Sequence, residues 1–582
     1  NKTPFSMKKL YQLLAVCCLV SLAANPLMAQ IPNDSPIPVD VFFEVPGTGL
    51  TRVIGDYTSV SNSTEWGTQP LRTTVSAEVM WVDDDDIAGD GMDTLGCDTS
   101  TMVDYTDKMV LVRRGGCFFS DKVYYAQQAG AIAVVIVNAD GSDPTGGMAA
   151  GDEKGLDVTI PSVFLNDPGE AAGFIAALDA GETVIGTFQV RGFFGDLGPD
   201  RYGTPLSQVT PFENISVDLL NLDPMEPVLD VSASVDIIAP DGTETKLTAE
   251  VDTINPDVIH TFEFEPYTPA EVGTYEMLYT NSLTADTLRR QFAVTDFTFQ
   301  MDNGNIPEWP VDSWIATTSE GFVEDLLTYD FGNYFETNDQ GAMATHATFS
   351  LGNPDSIRTG FNDADIFFLT LFDTDPDGDG QSATGNEIDY STFEIVGQAV
   401  YILNGNEEPY DLLTVEFPEP VELKANTGYL LMAQYNGVNA ALGIPPWYTY
   451  AGNEAYPGLS TMTFTDQLYT GGWAGDFRAV VRLHLEGFSV DAEDITLADN
   501  KATVFPNPAN ETFQLELQLD EYADEVRVAL VDMFGRVIER NVYEGVKGGT
   551  YTFNTANLAA GTYFLGVQTP EGQATKRIVV IH

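Results

Sequence analysis

The clearest chemical pattern in the chain is a run of carboxylates spaced by single residues, Asp373-Thr374-Asp375-Pro376-Asp377-Gly378-Asp379-Gly380. Hard cations such as calcium take oxygen ligands in this arrangement, with glycine allowing tight backbone turns between them. In the usual loop order Asp373, Asp375, Asp377 and Asp379 take alternate ligand positions, and Ca2+ is the expected cation. Thr384 then occupies the closing position, and Glu387 is the nearest later carboxylate. A register beginning at Asp375 leaves Asn386 there. A calcium loop and a solvated acidic turn both fit. A second acidic run, Asp83-Asp84-Asp85-Asp86, lacks glycine spacing and reads as a solvated stretch.

Catalytic patterns are missing where peptidase chemistry would need them. A zinc peptidase uses two imidazoles on one helical face beside a carboxylate, but no His-Glu-x-x-His occurs. His260, His346, His484 and His582 lie far apart in sequence and read as structural. No Gly-x-Ser-x-Gly elbow marks a nucleophilic serine. No catalytic residue is assigned. Paired carboxylates for glycoside hydrolysis stay open, since 87 acidic residues always place some close together. Aromatic residues offer a different chemistry: Trp447, Tyr448, Tyr450 and Trp473 cluster late in the chain, where open rings would stack on sugars. A packed core is the alternative, because 11% aromatic content must be buried somewhere.

The elements that position these groups read as mostly β and multi-domain. A length of 582 residues suggests about four domains at roughly 150 residues each. Lys and Arg total 26 against 87 Asp and Glu, a net charge of −61. Such a field repels nucleic-acid phosphates and anionic headgroups, which excludes both as partners. At one end Met7-Lys8-Lys9 precedes an apolar run from Leu10 to Ala24, with Ala29 before Gln30. A basic start, a short apolar core and a small-residue cut site predict a signal peptide over 7–29 and no transmembrane segment in the mature chain. Cys17 and Cys18 leave with it, so Cys97 and Cys117 are expected to form one disulfide closing a loop of roughly 20 residues.

At the other end, Phe505-Pro506-Asn507-Pro508 is followed by alternating strands through Phe513, Leu515, Leu517 and Val526, Val528, Leu530. Asp532-Met533-Phe534-Gly535-Arg536 forms a turn, and Leu558-Ala559-Ala560-Gly561-Thr562-Tyr563-Phe564 leads to the basic pair Lys576 and Arg577. These motifs, in this order, resemble the type A C-terminal sorting domain of the Bacteroidetes type IX secretion system, over 503–582. The resemblance implies an Ig-like β-sandwich, an encounter with the secretion machinery, and passage through the periplasm to the outer-membrane surface or the medium.

A second block surrounds the cysteines. An apolar strand from Met109 ends in Arg113-Arg114-Gly115-Gly116-Cys117-Phe118-Phe119, and a helical pattern from Asp121 stops at Gly130. A buried strand from Ala131 to Asn138 and a further strand, Val158-Thr159-Ile160-Pro161-Ser162-Val163-Phe164-Leu165, follow. This arginine-glycine-cysteine-phenylalanine turn, the following Lys122 and the Ile-Pro-Ser strand resemble a protease-associated (PA) domain over 41–190. That resemblance implies an α+β interaction module with no catalytic residues of its own.

Between these blocks, 214–296 resembles an Ig-like or fibronectin-like sandwich, with Gly273-Thr274-Tyr275 turning into a final strand pair. The aromatic, turn-rich 297–488 region lacks a helical period and reads as a jelly-roll-like sandwich of no recognised family. The reading is a secreted or surface-attached binding protein whose PA module and larger sandwich contact a protein, peptide or glycan. Two alternatives stand beside it: a glycosidase-like hydrolase with its site in 297–488, and an accessory subunit of a secreted peptidase.

Overall fold

The computed structural model describes residues 29–30 and 37–582 apart from 49, 55–56, 61–65, 67–68, 84–93, 98–102, 140–146, 152, 167, 304–314, 318–329, 358–364, 377–386, 389–392, 436–447, 452–459, 465–466, 471–477 and 490–495. Residues 7–28 of the expected signal peptide therefore lie outside the described residues. The chain forms two compact units, Asn1–Gly192 and Phe193–His582. It is mostly β, with several separate sheets.

In the first unit one mixed sheet runs in the order Leu50–Ile54, Val39–Val45, Ile185–Val190, Val75–Trp81, Met109–Arg113, Ala133–Val137, Ser162–Leu165, Tyr57–Thr58. The four strands from Val75–Trp81 to Ser162–Leu165 are parallel, and those outside them are antiparallel. Parallel strands are covered on both faces and so carry unbroken apolar runs, as Met109-Val110-Leu111-Val112 and Ala133 to Val137 do. Met109 and Leu111 face a core containing Phe43 and Phe174, whose rings stack at 4.0 Å. Phe174 comes from helix Pro168–Asp179. Val110 and Val112 pack instead with Val123 and Ala126 of helix Phe119–Gln128. That helix stops at Gly130, whose φ of +97° excludes most side chains and where a Cβ would stand 2.9 Å from Thr106 Oγ1.

The second unit begins with a sandwich. Strands Phe193–Leu197, Ser216–Leu220 and Ile259–Glu263 make one sheet, and Gly203–Pro205, Thr287–Thr295, Gly273–Asn281, Val228–Ile238 and Glu244–Ile254 make the other. Alternate residues such as Val231, Ala233, Val235 and Ile237 fill the space between them. Two of these strands, Phe193–Leu197 and Gly203–Pro205, precede the stretch from which the sandwich was read.

A larger antiparallel sandwich follows. Its four-stranded sheet is Thr298–Phe299, Val481–Leu485, Ala342–Ser350 and Leu412–Leu423. The seven-stranded sheet opposite includes Asp330–Glu336, Gly428–Tyr435, Ile366–Asp373 and, at one edge, Glu394–Ile402. Phe331, Phe349, Phe367, Leu369, Tyr401, Leu431 and Leu483 are among the residues of its core.

At the C-terminus the long strands Thr512–Asp532 and Val537–Asn554 pair with a register irregularity between Gln518 and Ala523. The first half of Thr512–Asp532 also pairs with Ala502–Phe505 and the second half with Gly561–Thr569. Phe513, Leu515 and Leu517 from one half meet Val526, Val528 and Leu530 from the other in a single core. The Asp532 to Arg536 segment is a turn, as its sequence predicts. Asp532 Oδ1 accepts the backbone N–H groups of Phe534 and Arg536, and Gly535 takes φ +78°.

Candidate functional site in the first unit

In open parallel sheets ligands meet the carboxyl ends of the strands. Here that end carries Trp81 and Arg113 on neighbouring strands, and the Arg113 guanidinium lies 4.8 Å from the Trp81 ring centre. The indole is held by its N–H, which donates to Asp179 Oδ1 at 2.8 Å. Arg113 itself is exposed. The next residue, Arg114, donates to Asn138 Oδ1 at 2.9 Å and lies 5.5 Å from the Phe164 ring centre, and Asn138 in turn donates to Asn166 O.

The turn after these arginines is fixed from below. Cys97 and Cys117 form the disulfide read from the sequence, with a sequence separation of 20. Gly115 and Gly116 adopt φ of +120° and +76°, and a Cβ on Gly116 would stand 3.0 Å from Cys97 Sγ and from Leu95 Cδ1. Lys122, from the first turn of the helix, is buried; its ammonium donates to Leu95 O and lies 3.8 Å from Cys97 Sγ. The tip of this clamped turn is Phe118, 56% exposed. The PA-domain family matches residues 77–173, which contain all of these groups except Asp179. The chain carries a PA domain.

Beyond the PA domain, the secretion system C-terminal sorting domain family matches residues 503–581. The type IX sorting domain marks the chain for secretion or outer-membrane surface attachment. Among the described residues no helix is long and apolar enough to cross a membrane. No curated protein matches the chain. Among solved structures, an aminopeptidase from Aneurinibacillus sp. strain AM-1 is 24% identical with a TM-score of 0.16, over 27% of this chain and 34% of that one. A zinc aminopeptidase from Bacillus subtilis is 19% identical with a TM-score of 0.18, over 27% and 31%. Dimeric latent PorU from Porphyromonas gingivalis is 13% identical with a TM-score of 0.13, over 68% and 35%. The matched part spans about a third of the length of each.

Away from the PA domain, the other predicted site residues fall differently. Asp373 is buried at the end of its strand, where Lys424 Nζ donates to Oδ2 at 2.7 Å and the Asp375 N–H to Oδ1 at 3.0 Å. Both oxygens of the first expected calcium ligand thus have protein partners. Asp375 is half-buried, and Asp377 and Asp379 lie outside the described residues, as do Asp84, Asp85 and Asp86. Among the described residues no group of three or more His, Cys, Asp or Glu is placed to hold a metal. Tyr448 and Tyr450 belong to strand Tyr448–Ala451, while Trp447 and Trp473 lie outside the described residues.

Two histidines that sequence separation kept apart are cross-strand partners. His346 and His484 sit opposite each other, and Phe488 stacks on His484 at 3.7 Å and meets His346 edge-on at 5.4 Å. Thr348 Oγ1 lies 2.7 Å from His484 Nε2 and Thr298 Oγ1 2.9 Å from Nδ1. Burial, the Arg482 charge and His346 push the His484 pKa well below the ordinary value, and burial lowers that of His346.

Sequence reasoning missed a polar cleft of about 740 Å³ where the two sandwiches of the second unit meet. Asp200, Arg201, Glu213, Glu336 and Asp339 are among the residues that line it. Arg201 grips Asp200 with two hydrogen bonds, at 2.9 and 2.8 Å. Burial opposes ionisation of Asp200, but the Arg201 charge and hydrogen bonds outweigh it and hold the carboxyl below its ordinary range. No local period announces this cleft, because its walls come from separate sandwiches.

Proposed function

We propose that this exported chain is a non-catalytic binding protein whose PA domain recognises a protein or peptide, and that the recognised group is a carboxylate received by Arg113. The observation that carries this reading is the exposed Arg113 guanidinium lying over Trp81 at the carboxyl end of the parallel strands. A planar guanidinium offers two parallel donors to a carboxylate, and an aromatic ring beneath it fixes its orientation. In a chain of net charge −61, one oriented cation gives direction to an otherwise repulsive field. The exposed Phe118 beside the disulfide-held turn supplies apolar contact for a neighbouring side chain. A companion peptidase presenting such a segment would make the chain its accessory subunit.

The test is binding of the full chain to an immobilised library of short acidic peptides, each made with a free and an amidated carboxyl terminus. Arg113→Ala is expected to weaken the selected peptides about 10-fold or more, the effect of losing one charged hydrogen-bonded contact. Equal binding by parent and variant would remove this assignment.

A second reading, a secreted hydrolase, draws on the cleft at Glu336 and Asp339. Hydrolysis of a polysaccharide panel by the parent and its loss in Glu336→Gln would favour it; inactivity of the parent would leave the binding reading alone.

A further inference from the structure

Strands Ile366–Asp373 and Glu394–Ile402 carry more apolar surface than a sandwich needs. Phe367, Leu369 and Tyr401 point into the core. Their neighbours Ile366, Phe368, Val400 and Ile402 point away from it, in register as Ile366 opposite Ile402 and Phe368 opposite Val400. A face turned away from a sandwich core is ordinarily polar. This one is dry, because Ala529, Val531 and Phe564 of the sorting domain cover it and none of the seven residues is more than 5% exposed. Phe368 and Phe564 meet edge-on at 5.7 Å.

The backbone edge is answered as well. Glu394–Ile402 is the last strand of its sheet, where outward N–H groups lack a strand partner. The Val400 N–H donates to Thr575 Oγ1 and the Ile402 N–H to Gln573 Oε1, each at 2.9 Å. Thr575 and Gln573 alternate along the last sorting-domain strand and are both buried. Gly566, beside Thr575 in that sheet, leaves the room required: a Cβ there would stand 2.7 Å from Val400 Cγ1. Gln398 Nε2 donates to Met533 O and Arg527 Nη1 to Leu403 O, both at 2.8 Å.

We propose that the outer face and free edge of these two strands are a docking surface whose occupant is the chain's own sorting domain, held by a specific interface rather than by the connecting peptide. An apolar quartet met by an apolar trio, side-chain acceptors aimed at edge N–H groups and a glycine at the closest approach are features of a built interface. A tag joined only through its linker needs none of them.

The experiment uses the full chain with residues 490–495 replaced by a protease recognition sequence. After cutting, size-exclusion chromatography reads whether the two pieces stay together, and far-UV circular dichroism checks that both remain folded. The parent pieces are expected to co-elute as one complex. Cut Gly566→Leu and cut Gln573→Ala/Thr575→Ala variants, altered on a face that points away from the sorting-domain core, are expected to separate. Separation of the folded parent pieces would overturn the proposal. Co-elution of both cut variants at the parent's position would overturn the assignment to this face.

Discussion

Lys424 closes over Asp373, its Nζ 2.7 Å from Oδ2 of a carboxylate with no solvent exposure. The hydrogen bond raises the Lys424 pKa, so the ammonium persists through neutral pH. Calcium held by the acidic loop, which we propose for Asp375, Asp377 and Asp379, therefore competes with a resident cation for Asp373. Lys424→Met is expected to destabilise the second unit by roughly 1.5 kcal/mol, the low end for a charged hydrogen bond because Lys424 is half exposed. In thermal melts with added calcium it should also respond more strongly than the parent. An Asp375→Ala/Asp377→Ala variant that responds as the parent does would exclude the loop.

The Cys97–Cys117 bridge closes a loop of 20 residues. In the chain-entropy account such a loop stabilises by roughly 3 kcal/mol. Cys97→Ser/Cys117→Ser should lower the melting transition of the first unit and leave that of the second in place. Calorimetry that shows both transitions moving, or neither, would contradict this.

His484 gives the second unit a pH dependence with a definite sign. Folded, its ring stays neutral because its pKa is depressed; unfolded, it takes up a proton below about pH 6.5. The unfolded state then binds more protons, so stability falls as pH drops from about 6.5 towards the depressed folded value. His346 adds the same sign. Melts between about pH 7.5 and 5 should show this slope, and His484→Gln should flatten it. An unchanged slope in the variant would assign the effect to other groups.

Tyrosine hydroxyls tie off two of the Gly-Thr-Tyr strand starts to unequal degrees. Tyr275 Oη accepts the N–H groups of Ala270 and Glu271, at 3.2 and 2.9 Å, and donates to Glu271 O at 3.0 Å. Tyr563 Oη donates once, to Ala559 O at 3.0 Å. Tyr275→Phe is expected to cost about 2 kcal/mol and Tyr563→Phe about 1 kcal/mol. Urea titration of the two variants checks the order, and a larger loss in Tyr563→Phe would reverse it.

What was legible in the sequence is what a local stretch dictates through its own backbone. Unbroken apolar runs at Met109 and Ala133 announced strands covered on both faces. The Arg114 to Phe119 turn and the Asp532 to Arg536 turn carried their glycines where positive φ was needed, and Cys97 and Cys117 pair as their sequence reading expects. Both recognised families rest on such short-range patterns.

Tertiary structure decided everything that depends on which distant strands lie side by side. Pairing brings His346 to His484, Lys424 to Asp373 and Thr575 to the Val400 N–H, and no periodicity in one segment encodes its partner in another. The run Ile366-Phe367-Phe368-Leu369 is apolar at every position, the pattern of a strand covered on both faces. Only the packed chain showed that one face is the sandwich core and the other belongs to the sorting domain, because apolar burial is non-directional and the identity of the cover is fixed by shape and hydrogen bonding at the interface.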